Sequence, residues 1–398
     1  METAFTAPKP IAASDRSESI LESLGDKALK TTLTQPNRIL VRSVNWLGDA
    51  VMSTPALLRL RQHFPSAHIG LLCHKKLAEL WIDHPAVDAV LSFEDRESPR
   101  SIGRRLRSEK FDLALLFPNS FRSALEAFIA GIPQRIGSRS GLRRWLLTTA
   151  VSAAPEVIRL KKRSKAEILR RITHSSQAEP SIPLGSHQLH HYLRIVAAVG
   201  ASALPLPPHL TVAARDRTEA TAEGLRSTLG RRVVGLNAGA EYGPAKRWPV
   251  ARFAEAANRL HSLTGCHFLV FGGPADISIA NELRGQIHSA PVTVLAGKTT
   301  LRQLMARLEC CDVLITNDTG PMHLAAALGV PVVVPFGSTS PELTGPGNPG
   351  DPRHTLIKSD AACAPCFQRH CPVDFRCMTQ ISIDVVVDAT ARCLGRLD

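Results

Sequence analysis

The sequence predicts an α/β protein made of two doubly wound, Rossmann-like domains, and three observations carry that expectation. Short apolar runs of strand length alternate with longer amphipathic stretches in both halves of the chain, the pattern of a parallel sheet covered by helices. A chain of 398 residues with 44% hydrophobic content exceeds one ordinary core and suits two. Between the two series lies Leu204-Pro-Leu-Pro-Pro208, which can continue neither a helix nor a central strand.

Taken in order, residues 1–36 mix Ser, Thr, Ala, Pro and charge without a sustained apolar run. They are predicted to be a loose, disordered extension, and they lack the apolar region of a secretory signal. Residues 37–208 are predicted to form the first domain. Arg38 to Val44 reads as a buried strand and Ala50 to Phe64 as a helix, followed by strands at His68 to Cys73, Asp88 to Phe93 and Phe111 to Phe117. From Ser138 to Pro183 the pattern weakens into basic, Ser/Ala-rich sequence, before a helical stretch at His187 to Val199. Residues 209–398 are predicted to form the second domain, with strands at Arg232 to Asn237, His267 to Phe271, Val292 to Leu295, Asp312 to Asn317 and Pro331 to Phe336.

A net charge of +13 implies an acidic partner: nucleic acid, an anionic lipid surface or a phosphorylated small molecule. The basic residues crowd between Arg96 and Arg171, either as a solvated face or as a site for an anionic substrate or membrane surface. No helix-turn-helix, zinc-finger or stacking-aromatic motif accompanies the charge, so nucleic acid is not the expected partner. No window reaches the roughly 18 uncharged apolar residues of a membrane-spanning helix. Nine cysteines in a chain of this size without an export signal point to a reducing compartment, and the cytoplasm is the expected location.

In open parallel sheets ligands sit beyond the carboxyl ends of the strands, so the loops there are where chemistry is sought. Four stand out. In Asn45-Trp-Leu-Gly-Asp49 only Gly48 stands where a dinucleotide fold would need three glycines, which argues against a nicotinamide enzyme. Asp49, at a helix entrance, is either a cap or an ionised general base facing a cleft. Asn237-Ala-Gly-Ala-Glu-Tyr-Gly-Pro-Ala-Lys-Arg-Trp-Pro249 combines small residues with Lys246 and Arg247, a pattern suited to phosphate as well as to an ordinary surface loop. Thr316-Asn-Asp-Thr-Gly-Pro-Met-His-Leu-Ala-Ala-Ala-Leu-Gly329 reads as a strand end and a helix starting at Thr319 and Pro321 and ending at Gly329. Its free N–H groups suit a pyrophosphate, and His323 could bond phosphate or sugar. Phe271-Gly-Gly-Pro-Ala-Asp276 offers a carboxylate for ribose hydroxyls.

These stretches, in this order, resemble the bacterial ADP-heptose:lipopolysaccharide heptosyltransferases from Arg38 to the C-terminus. Pro118-Asn-Ser-Phe-Arg-Ser-Ala-Leu125, continued by Ala130-Gly-Ile-Pro-Gln-Arg-Ile-Gly137, resembles heptosyltransferase II in particular. The resemblance implies the GT-B architecture, with an interdomain cleft, and inverting transfer without a covalent enzyme intermediate. Asp49 would be the base that takes a proton from the acceptor hydroxyl. Lys246 would contact the donor phosphate, and the loop carrying Asp318, Thr319, Gly320 and His323 would hold the donor, with Glu241, Arg247 and Asp276 on the same side. ADP-L-glycero-D-manno-heptose is the implied donor. A heptosylated Kdo-lipid A at the inner face of the inner membrane is the implied acceptor, with Asn119, Ser120, Arg122 and Arg139 as candidate contacts. Heptosyltransferase I, or another ADP-sugar transferase of the family, is the alternative within it. A basic nucleic-acid-binding module and a two-domain nucleotide-sugar epimerase are the alternatives outside it.

One feature departs from that pattern. Cys363, Cys366, Cys371 and Cys377 stand in a short span whose thiols could ligate zinc, but the spacing is irregular. They are read as free thiols. The implied transfer needs neither metal nor cofactor.

Overall fold

A computed structural model describes residues 35–174, 181–222 and 232–395. All but the last two residues of the expected N-terminal extension therefore lie outside the described residues. Strands β1 (Arg38–Arg42), β2 (His68–His74), β3 (Ala89–Phe93), β4 (Leu113–Leu116), β5 (Gln134–Ser138) and β6 (Thr149–Val151) form one parallel sheet, ordered β3-β2-β1-β4-β5-β6. Strands β7 (Val233–Asn237), β8 (His267–Val270), β9 (Val292–Val294), β10 (Val313–Thr316), β11 (Val332–Phe336) and β12 (Thr355–Lys358) form a second, ordered β12-β11-β10-β7-β8-β9. Both follow the doubly wound order 3-2-1-4-5-6, in which the strand order reverses between the first and fourth strands and opens a crevice there. The two crevices lie beside β1 and β4, and beside β7 and β10.

The central strands are apolar runs such as Leu113-Ala-Leu-Leu116 and Val313-Leu-Ile-Thr316, and all of their residues are buried because helices cover both faces. The same local device sets the register in both domains. An aspartate just before the fourth strand accepts from the start of the first: Asp112 from the N–H groups of Asn37 and Arg38, each at 2.9 Å, and Asp312 from that of Val233 at 2.8 Å.

The expected helix from Ala50 to Phe64 is two helices, Leu47–Met52 and Thr54–His63. Pro55 sits in the first turn of the second, where its missing N–H costs nothing, and the axis is free to turn at Ser53. Strands β6 and β12 did not stand out in the sequence because they are three and four residues long, partly exposed, and at sheet edges. The helix Lys165–His174 precedes the proline-rich stretch yet places Ile168 in the core of the second sheet, with Trp248 and Phe253. Arg163 anchors it there, its backbone N–H donating to the Cys366 carbonyl and its guanidinium to the Cys363 carbonyl, both at 3.0 Å. The helix Gln188–Ala197 then returns to the first sheet.

Period-two alternation divides the first sheet's apolar residues. Leu40, Ala114 and Leu116 face one layer, whereas Ile39, Val41, Leu113 and Leu115 face a core that continues through Met322 and Leu324 into the second domain. The closest join is between the helix Leu47–Met52, which follows β1, and the helix Gly320–Ala327, which follows β10. Two glycines permit it. A Cβ on Gly48 would lie 2.6 Å from the His323 ring, and one on Gly320 would lie 2.7 Å from Leu47 Cδ2. Arg302 adds a polar clasp: its N–H donates to Glu79 of the first domain at 3.1 Å, and its guanidinium pairs with Asp216 at 2.5 Å and with Asp83 at 3.3 Å.

Gly48→Ala overpacks this join, a class of change that costs about 1–3 kcal/mol. The variant is expected to keep the circular dichroism of two folded domains while losing turnover, because the buried His323 ring cannot retreat. Wild-type kcat would refute the role given to the glycine.

Candidate active site

The loop after β1 runs Ser43-Val-Asn-Trp46 into the helix Leu47–Met52, with Trp46 at the N-cap position. Asp49 lies in the first turn, but no side chain caps this helix. The carboxylate instead accepts a hydrogen bond from the Tyr192 hydroxyl at 3.1 Å. Asp49 thus does not cap its helix. Burial raises its pKa above the ordinary carboxylate value, with Asp318 adding to the rise; Tyr192 and the Lys246 charge oppose it. Both domains therefore act on one carboxylate. Tyr192, on the helix Gln188–Ala197, packs its ring against Phe117, and burial together with Asp49 pushes its own pKa well up, so it stays a donor.

Across the cleft, Lys246 Nζ pairs with Asp318 at 2.6 Å, and the Thr339 hydroxyl donates to the same carboxylate oxygen at 2.5 Å. Tyr242 presents its ring to Lys246 at 4.8 Å, the attraction of a cation for an aromatic face. Asn317 ties the two crevice loops together: it accepts from Trp248 N at 2.9 Å and donates to the Ala238 and Gly239 carbonyls at 2.8 and 3.2 Å. Thr319 occupies the N-cap of the helix Gly320–Ala327 and makes no capping bond with its side chain, which leaves the orphan donors of that helix start to other partners. His323 is buried against Gly48, and desolvation lowers its pKa to about 4, so at neutral pH it is an uncharged donor and acceptor. Asp276 accepts from Gly273 N at 3.0 Å and lies against Gly239, where a Cβ would come within 2.4 Å of its carboxyl group. Glu241 is exposed at the cleft mouth, 3.9 Å from Lys76 of the first domain. Arg247 turns back to the Ala240 carbonyl of its own loop at 3.4 Å.

On the other wall the expected acceptor contacts divide. Asn119 and Ser120 follow β4 and are exposed; Ser120 caps the helix Phe121–Ile129 through the Ser123 N–H, and Asn119 accepts from Ser138. Arg139, after β5, is exposed. Arg122 is committed instead to the structure of the domain, donating to Glu126 at 2.9 Å and to the Glu97 carbonyl at 2.5 Å. Glu126 is buried and also binds Arg42 at 2.9 Å. Arg143 is a residue the sequence did not single out: it is buried and donates to the Pro118 carbonyl at 2.8 Å and to Ser138 at 3.1 Å, beneath Asn119. Tyr192, Asn317 and Thr339 were missed likewise. Only rarity could have flagged Tyr192, one of two tyrosines in the chain; the other is Tyr242.

Cys363, Cys366 and Cys377 are buried thiols and Cys371 is half-buried. Burial raises Cys363 and Cys366 and pushes Cys377 up to about 12, so all three are protonated. Among the described residues, no three His, Cys, Asp or Glu side chains are grouped to hold a metal ion. The loop has a visible mechanical task, because Tyr242 donates to the Phe367 carbonyl at 2.8 Å and Ala245 N to that of Arg369 at 3.0 Å. It braces the turn that carries Lys246.

This site and fold coincide with a known family. The model of "Glycosyltransferase family 9 (heptosyltransferase)" matches residues 99–375. The chain belongs to that family, and it is a glycosyltransferase of the GT-B fold. It is 31% identical over 325 residues to lipopolysaccharide heptosyltransferase 2 of Escherichia coli K12, and 32% identical over 321 residues to that of Salmonella typhimurium, covering 78% of this chain and 85% of each relative. The solved structure of E. coli ADP-heptose lps heptosyltransferase II superposes with a TM-score of 0.70 at 25% identity, over 90% of this chain and 99% of that one.

Two outcomes follow from the geometry. Tyr192→Phe removes a bond that holds the Asp49 pKa down, so the acid limb of the kcat/KM profile should move to higher pH; an unmoved limb would separate Tyr192 from the reaction. Lys246→Ala should weaken ADP binding by calorimetry by about tenfold or more, the scale of one lost charge-assisted bond, and unchanged affinity would remove Lys246 from the donor side.

Proposed function

We propose that this chain is an inverting heptosyltransferase of the second-transfer type. It moves L-glycero-D-manno-heptose from ADP-heptose to a heptosylated Kdo-lipid A. The observation that carries the reading is the facing pair of charge systems: Asp49 with Tyr192 on one wall, Lys246 with Asp318 and Thr339 on the other. Similarity to heptosyltransferase 2 of two bacteria supports the subtype.

In the proposed reaction Asp49 accepts the proton of an acceptor hydroxyl while that oxygen attacks the anomeric carbon of heptose. The bond from that carbon to the diphosphate breaks on the opposite face, and ADP leaves with the bonding pair. The raised pKa of Asp49 makes it a stronger base than a solvated carboxylate, and it remains ionised above its own titration. Lys246 and the backbone donors at Thr319 and Gly320 meet the charge growing on the leaving diphosphate. Glu241, Arg247, Asp276 and His323 complete the donor side, and Asn119, Ser120, Arg122 and Arg139 the acceptor side. Of these, Arg122 acts through the placement of its helix, given its bonds to Glu126 and Glu97. Among the described residues no helix is long and apolar enough to cross a membrane. We place the reaction at the cytoplasmic face of the inner membrane, with the protein bound peripherally.

The test is ADP release from ADP-heptose with purified inner-core acceptors of defined length. Release should require an acceptor that already carries one heptose; release with an acceptor lacking heptose would assign the first transfer instead. Asp49→Asn should lose on the order of 10² to 10⁴ in turnover at unchanged melting temperature and ADP affinity. Near-normal turnover would sink the base.

A further inference from the structure

We propose that the outer face of the first domain is a docking surface for an anionic lipid bilayer. Three elements build it on the side of the first sheet whose core stays within that domain: the helices Pro99–Arg107 and Phe121–Ile129, and the turn Gly141–Leu146. The turn shows Leu142 at 74% exposure and Trp145 at 71%, the highest among the exposed large hydrophobic residues. Phe121 and Phe128, seven positions apart on one helical stripe, are 49% and 50% exposed. A face with these four side chains leaves apolar area in water that a folded domain ordinarily covers.

The charge beside them is predominantly basic. Arg100, Arg104 and Arg107 form a stripe on the first helix at spacings of four and three, and all are exposed. Arg144 lies over the Trp145 ring at 4.7 Å, and Arg135 over the Phe128 ring at 5.4 Å. From Leu113 to Pro155 the sole acidic residue is Glu126, which is buried between Arg42 and Arg122. The acids at the near edge are paired within the domain, Glu94 with Lys75 at 2.8 Å, Asp95 with His74 at 2.9 Å, and Glu97 with Arg105 at 3.5 Å. Aromatic and aliphatic tips flanked by unopposed guanidinium groups match the interface of an anionic bilayer, where rings settle at headgroup depth and arginines meet lipid phosphates. The patch also adjoins Ser120 at the start of the helix Phe121–Ile129, so docking would bring the expected acceptor wall to the membrane. This surface extends the proposed function by giving the protein a place to meet a lipid-linked acceptor.

The experiment uses the full chain and lipid alone, so its failure is distinct from failure of the transferase reading. Vesicles of phosphatidylglycerol and phosphatidylethanolamine should co-sediment the protein, and vesicles of phosphatidylcholine should not. High salt should release it, and intrinsic tryptophan emission should shift to the blue on binding. The double variant Leu142→Ser with Trp145→Ser should bind roughly tenfold more weakly or worse and lose most of the shift. Arg100→Glu with Arg104→Glu should lose binding to the anionic vesicles by about the same factor. Because all four residues are exposed, melting temperature and turnover on a soluble, deacylated acceptor should stay at wild-type values. No binding by the wild type to anionic vesicles would overturn the proposal. Full binding by both variants would do the same, as would a wild-type oligomer that becomes a monomer in the Leu142/Trp145 variant, because the patch would then belong to a second copy of the chain.

Discussion

The contact between the helix after β1 and the helix after β10 is the constraint on which the rest of the site depends. Each helix starts at the crevice of its own sheet, and each brings one glycine against a side chain of the other, Gly48 under His323 and Gly320 under Leu47. Both glycines keep ordinary helical backbone, so the requirement is for space and not for a rare conformation. That close approach carries Asp49 into the field of Lys246 and Asp318, groups on a different sheet more than 190 residues away. Without it Asp49 would lie beyond the electrostatic reach of both.

Much of this was legible in the sequence, for identifiable reasons. The central strands were visible because burial on both faces demands continuous apolar runs, as in Val332-Val-Val-Pro-Phe336. The helix start at Thr319 and its end at Gly329 were visible because proline and a left-handed glycine mark those positions. What stayed hidden depends on contacts distant in sequence. Tyr192 sits in a helix that reads as amphipathic and nothing more, and its bond to Asp49 spans 143 residues. Thr339 and Asn317 work by hydrogen bonds between loops, which no local pattern announces. Arg122 reads as an acceptor contact and Arg143 as one more residue of the basic stretch, yet one is held by a buried carboxylate and the other by a carbonyl and a serine hydroxyl.

The charge balance around the cleft sets a further condition on any diphosphate donor. Near the join lie four carboxylates, Asp49, Asp276, Asp318 and Glu241, and four cations, Lys246, Arg247, Lys76 and Arg369, the last over the same Tyr242 ring as Lys246. Desolvation holds His323 at a pKa of about 4, so it adds no positive charge at neutral pH. A donor with two phosphates would enter a region close to charge balance and not a strongly cationic one. Lys246 by itself cannot offset it, because Asp318 already takes its charge at 2.6 Å. In the proposed reaction, neutral dipoles fixed by the fold add to the attraction: the uncapped start of the helix Gly320–Ala327 and the backbone of the Gly239–Gly243 loop. This explains why so much structure is spent on loop position, from Asn317 bridging the two crevice loops to the cysteine-bearing segment bracing Tyr242 and Ala245. Preorganised dipoles are effective only when their donors are held in place before the charge develops. In this chain the holding is done by hydrogen bonds between loops, and in the proposed reaction Asp49 alone is left to serve the other half, the removal of a proton.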